Sequence, residues 1–127
     1  MAMMLAIELK QKNVTPGGRL EGNISLILPA GTGIASADLI VFWRTEGRGT
    51  TDEAIALSEA LPWNGLPAGG QIEHSFSVRV PQIPWTYHGR LIKIHWYVGV
   101  YVKPLRGREV GRDVEFVLHP KADYAQG

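Results

Sequence analysis

From Leu91 to Lys103 the chain reads LIKIHWYVGVYVK, with two interleaved sets of positions. Ile92, Ile94, Trp96, Val98, Val100 and Val102 fall on one parity, and Lys93, His95, Tyr97, Gly99, Tyr101 and Lys103 on the other. Side chains alternate across a strand, so this spacing predicts a long strand with one apolar face and one mixed face. A helix would not separate the residues in this way. A charge at Ile94 or Trp96 is therefore expected to unfold the domain.

The same alternation recurs elsewhere. Leu5, Ile7 and Leu9 alternate with Ala6, Glu8 and Lys10, a first strand. After the turn Pro16-Gly17-Gly18, the positions Leu20, Gly22, Ile24, Leu26 and Leu28 form an inward set from which Ile27 is excluded, and Pro29 to Gly33 ends that strand. Ala35 to Ala37 reads as a short turn before a third strand, Leu39 to Trp43, apolar enough to be central. Arg44 to Asp52 reads as a polar loop, either a hairpin or an extended tip. For 53–61 strand is preferred, because a hairpin leaving the third strand must find its neighbour. Helix stays open there, since DEAIALSEAL has good helix formers and Asp52 could cap them. Pro62 to Gly70 reads as turn. Ile72, His74, Phe76, Val78 and Val80 then share one side of a strand that Pro81 and Pro84 prevent from continuing. Leu105 to Gly111 is a turn, and Val114, Phe116 and Leu118 mark the last strand.

Seven or so strands separated by turns every ~8–12 residues predict an all-β protein: an immunoglobulin-like two-sheet β-sandwich, mostly antiparallel. The 127 residues suit one domain, expected over 1–120, with 121–127 as a flexible C-terminal tail. Fifteen glycines and eight prolines sit between apolar runs and read as turn punctuation. The formal net charge of +1 gives no global attraction to nucleic acid or acidic membranes. No apolar run is long enough for a membrane-spanning helix, and the N-terminus does not read as a signal peptide. Cysteine is absent, which removes disulfides and thiolate chemistry and fits a reducing, cytoplasmic setting.

Three segments resemble the arrestin-like family of β-sandwiches, in particular its amino-terminal domain. They are Pro16 to Ile24, a turn followed by a strand with an internal glycine; Val80 to Gly89, a proline-rich and then aromatic stretch; and the long strand after it. Phe42 to Gly49 is similar to bacterial members of the group. The resemblance implies a sandwich of arrestin type that presents loops and strand edges to other proteins. Familiar arrestins carry two sandwiches and this chain has room for one, so binding of phosphorylated receptors is not carried over. A homodimer could recreate the two-domain arrangement. Gly22 would permit close backbone approach or a bulge, and Tyr87 could fill the underside of the proline-rich crossover.

Candidate chemistry is sparse. His74, His88, His95 and His119 lie in separate segments without HxH or HExxH spacing, so no metal or cofactor is expected unless the fold gathers them with acids. GxSxG and the phosphate-loop motif are missing, and no enzyme activity is expected. Arginine forks suit carboxylate or phosphate. The candidate partner-binding residues are accordingly Arg44, Glu46, Arg48, Trp85, Tyr87, Tyr97, Tyr101, Arg106 and Arg108. Arg106, Arg108 and Arg112 are interleaved with Glu109 and Asp113, so internal pairing competes with docking there. The expected function is a scaffold or adaptor that binds a protein partner. The alternative is a carbohydrate- or small-ligand-binding module that uses Tyr97, Tyr101 and the tryptophans, Trp63 and Trp85 near the turns included.

Overall fold

A computed structural model describes residues 3–49, 51–121 and 124. Within it the chain forms β1 (Met4–Leu9), β2 (Asn13–Val14), β3 (Arg19–Leu28), β4 (Ile34–Gly47), β5 (Thr51–Ala60), β6 (Gly70–Arg79), β7 (Tyr87–His88), β8 (Ile92–Pro104) and β9 (Val110–Leu118). One sheet has the order β1-β3-β6, and the other has the order β2-β9-β8-β4-β5 with β7 added against β8. Every pairing is antiparallel except β2 with β9, which is parallel. The fold is thus an all-β, two-sheet, mostly antiparallel sandwich of arrestin type.

The alternation in β8 decides how the layers meet. Trp96, Val98, Val100 and Val102 are fully buried between the sheets. They join Leu39 and Val41 of β4 and Phe116 and Leu118 of β9, and across the gap lie Leu20, Ile24 and Leu26 of β3 with Phe76 and Val78 of β6. Burying apolar surface on both inner faces is the main term that favours this arrangement. Gly22 sits in the inner parity of β3 because a Cβ there would come 2.9 Å from ring carbons of Phe76. This is the close approach that the sequence predicts for it. The parity stops short of Ile92, which is exposed at the end of β8.

The proline-rich crossover is tied to the core by two polar links. The Trp96 indole Nε1–H donates to the Pro84 carbonyl at 2.7 Å. Buried Thr86 donates its backbone N–H to the Leu118 carbonyl at 2.8 Å and accepts the Leu118 N–H on its hydroxyl at 2.9 Å. Thr86, not Tyr87, occupies the underside: Tyr87 remains 48% exposed. A side chain that can pair two backbone groups in a dry site is worth more there than a phenol that would need its own partner.

Two further expectations change, and the strand preferred over 53–61 is present. Ala35 to Ala37 is not a turn but the start of β4, with a bulge between Ile34 and Ser36 that lets Ala37 point inward. Arg44 to Gly47 continues β4 as regular ladder, so the polar tip shrinks to Arg48 and Gly49 among the described residues. The 53–61 segment is strand through Ala60, paired along β4, and its even exposure reflects an edge strand with neither face covered. The two-residue strands β2 and β7 carry no alternation and arise only from tertiary pairing. Of the expected tail, 122–123 and 125–127 lie outside the described residues.

Trp96→Ala should lower unfolding free energy by about 3–5 kcal/mol in denaturant titration, since it opens the inter-sheet layer and strands the Pro84 carbonyl. Ile92→Ala, on the same parity but exposed, should cost less than about 1 kcal/mol. Equal effects would refute the placement of the dry layer.

Candidate functional site

The outer face of β8 and β4 carries Tyr97, Tyr101, Arg44 and Phe42. Phe42 and Tyr97 are cross-strand partners, and their rings stack with centroids 5.3 Å apart. The Arg44 guanidinium lies over the Tyr97 ring at 5.1 Å, and its Nη2 reaches Glu53 Oε2 at 2.6 Å. The hydrogen bond to Glu53 holds the Arg44 guanidinium above its usual range. Tyr101 lies in a slot over Gly99 and Gly111, where a Cβ at either glycine would overlap its ring. Its hydroxyl donates to Asp113. Burial, then the hydrogen bond and charge of Asp113, push the Tyr101 phenol well above 10, and burial also raises Tyr97. Phe42 and Tyr97 thus pack on each other, and Trp63 is 2% exposed in a T-shaped contact with His74. Trp63 is therefore not part of an open aromatic surface with Tyr97 and Tyr101.

A second group forms where β7, β8 and β9 converge. His95 is central, with Nδ1 3.3 Å from Glu115 Oε2 and Nε2 3.2 Å from Glu46 Oε2. The His88 ring stands 5.7 Å from the His95 ring. Tyr124 accepts the His88 backbone N–H at 2.9 Å and stacks on His119 at 3.9 Å. His88, His95 and Glu115 each offer a donor atom, all within 4.8 Å of one another. No sequence spacing predicts this grouping. It comes from the pairing of His88 with Lys93 and of Tyr97 with Glu115, which sets His88 and Glu115 diagonally about His95.

A third feature is a cleft of about 660 Å³ at the same end of the sandwich, lined by Arg48, Tyr87, Arg90, Leu91 and Ile92. Leu91 is 76% exposed, and Ile83 in the proline-rich crossover is 73% exposed. Tyr87 forms one wall because Gly89 lets its ring fold across the backbone, where a Cβ would collide with it. Trp85 is exposed beside this cluster, its indole donating to the Gln82 carbonyl at 3.0 Å and its ring edge on His119. Exposed apolar side chains that share a cleft, as Tyr87, Leu91 and Ile92 do, often mark a contact surface. Of the residues that line the cleft, Arg48 and Tyr87 were candidates from the sequence; Arg90 was noted only among the arginines, and Leu91 and Ile92 were not candidates. Ile92 shares the apolar parity of β8, so the sequence reading turned it inward.

The nine candidate residues therefore divide. Arg48 and Tyr87 line the cleft, with Trp85 beside it. Arg44, Tyr97 and Tyr101 form the outer-face cluster, and Glu46 supports His95. Arg106 and Arg108 lie on the exposed turn between β8 and β9, at the opposite end. Among the described residues they make no ion pair, and the Asp113 expected to neutralise this cluster binds Tyr101 instead. Among the described residues no helix is long and apolar enough to cross a membrane.

The fold has a solved counterpart. Spo0M, a sporulation control protein from Bacillus subtilis, superposes with a TM-score of 0.78 over 95% of this chain at 13% sequence identity. The present chain spans 51% of that chain's length. No protein-family model matches the sequence, and no curated protein is detectably similar to it. The likeness is one of fold.

The raised Tyr101 phenol gives a pH signature. A pKa above the unfolded value of 10 means that the folded state holds this proton more tightly, so its stabilisation is complete below pH 10 and drains as pH rises past it. Denaturant titrations at increasing pH should show wild type losing stability above about pH 10 more steeply than Tyr101→Phe. Parallel slopes would mean that the phenol is not held in this way.

Proposed function

We propose that this domain is a non-enzymatic protein-interaction module, a scaffold or adaptor of the arrestin-like type, that engages its partner through the Arg48–Tyr87–Arg90–Leu91–Ile92 cleft. The observation that carries this reading is the gathering of Tyr87, Leu91 and Ile92, all exposed, with two arginines in one cleft at one end of the sandwich. Apolar anchors rimmed by guanidinium groups suit a peptide segment that combines large apolar side chains with carboxylates. Spo0M, which shares this fold, is a sporulation control protein. Residues 1–120 act as one bacterial sandwich domain, and the cysteine-free composition suits a cytoplasmic setting. A homodimer would supply the second sandwich that arrestins carry within one chain. Near-neutral net charge disfavours nucleic acid as the partner.

The experiment is affinity capture from an extract of the native cell, with four baits compared by quantitative mass spectrometry. Wild type and an Arg106→Glu/Arg108→Glu variant should retain the same partner. Arg48→Glu/Arg90→Glu and Leu91→Asp should lose it by about tenfold or more, as for an interface anchor worth over 1 kcal/mol. Retention by both cleft variants would refute the assignment of the contact face.

A further inference from the structure

We propose that His88, His95 and Glu115 form a binding site for a divalent transition-metal ion of the zinc type. Two imidazoles and a carboxylate are a donor set that suits zinc, nickel, cobalt or copper rather than magnesium or calcium, which prefer oxygen alone. The three donor atoms already lie within 4.8 Å of one another. Tetrahedral coordination at 2.0–2.2 Å places ligand atoms roughly 3.3–3.5 Å apart, so closure needs about 1 Å of contraction. The side chains that must move are those of His88 and Glu115, which are exposed and free to adjust.

The third ligand is held in advance. His95 projects from the middle strand of the larger sheet, and its side chain is 17% exposed. Glu115 faces Nδ1 at 3.3 Å, and Glu46 faces Nε2 from the other side at 3.2 Å. If Nδ1 is the ligand atom, Nε2 keeps its proton and donates it to Glu46. A carboxylate on the far nitrogen of a ligating histidine fixes the tautomer and increases its basicity, the usual outer support of such sites. His88 is also steadied, because its backbone N–H donates to the Tyr124 hydroxyl at 2.9 Å. The carboxylates of Glu46 and Glu115 together match the charge of a divalent cation. A tetrahedral ion with three protein ligands keeps one position for water or for a donor from a partner.

The site lies on the outer sheet face close to the contact cleft, joined to it through the consecutive residues Tyr87 and His88. Its assignment does not depend on what the cleft binds.

The test is isothermal titration of chelator-stripped protein with zinc chloride, with cobalt chloride followed by visible absorption as a second readout. Wild type should bind one ion per chain and melt at a higher temperature with zinc present. His88→Ala and His95→Ala should abolish binding. Glu46→Gln, which removes no ligand, should weaken it by about 10–100-fold. His74→Ala, on the other sheet, should bind as wild type does. Circular dichroism establishes that each variant is folded, and His88→Asn replaces His88→Ala if the latter is not. No zinc binding by wild type, undiminished binding by the folded His88 variant, or loss of binding in His74→Ala would each overturn the proposal.

Discussion

Four residues on one face of β8, Trp96, Val98, Val100 and Val102, bind the two sheets together, and their burial dictates what the opposite face must carry. A strand gives no third direction. Once these side chains point into the dry layer, His95, Tyr97 and Tyr101 stand on the outer face of the larger sheet. That face is not left to solvent. Phe42 and Arg44 cover Tyr97, and the glycines at 99 and 111 create a slot for Tyr101. The outer cluster thus packs its side chains on the sheet and on one another.

That end is attached to the same core. Trp96 reaches out of the layer to the Pro84 carbonyl, and Thr86 pairs both backbone groups of Leu118. The segment between them is therefore anchored at two points. The residues just beyond, Tyr87 to Ile92, turn outward and build the cleft. Rigid anchoring next to exposed apolar side chains limits the entropy lost when a partner docks. The histidine group rests on the same framework, since His88 follows Thr86 by two residues and His95 precedes Trp96 by one.

The sandwich was legible because β3, β6, β8 and β9 are each buried on one face and therefore alternate. Where that cause was missing, the sequence carried a weaker signal. β5 is an edge strand with both faces open, so Thr51 to Ala60 shows no period and helix formers such as Ala54 and Ala56 compete. β2 and β7 are two residues long, too short for any pattern. Trp63 looked like a turn aromatic because it follows Pro62, yet it folds back under the sheet. Ile92 looked inward by parity, but β8 outruns the opposing sheet at that end. The candidate site was harder still. Arg48, Trp85 and Tyr87 were identified by residue type, while the grouping of His88 with His95 and Glu115 depends on strand register, which one sequence does not encode visibly.

β8 is the innermost strand of the larger sheet, flanked by β4 and β9, with its inner face in the core. Native-state hydrogen exchange measured by NMR tests it directly, because amides released only by global unfolding exchange slowest. The account predicts that the amides of residues 96–102 are the most protected in the molecule, and that those of the edge strand β5 exchange far sooner. Protection of 96–102 no greater than that of β5 would contradict it.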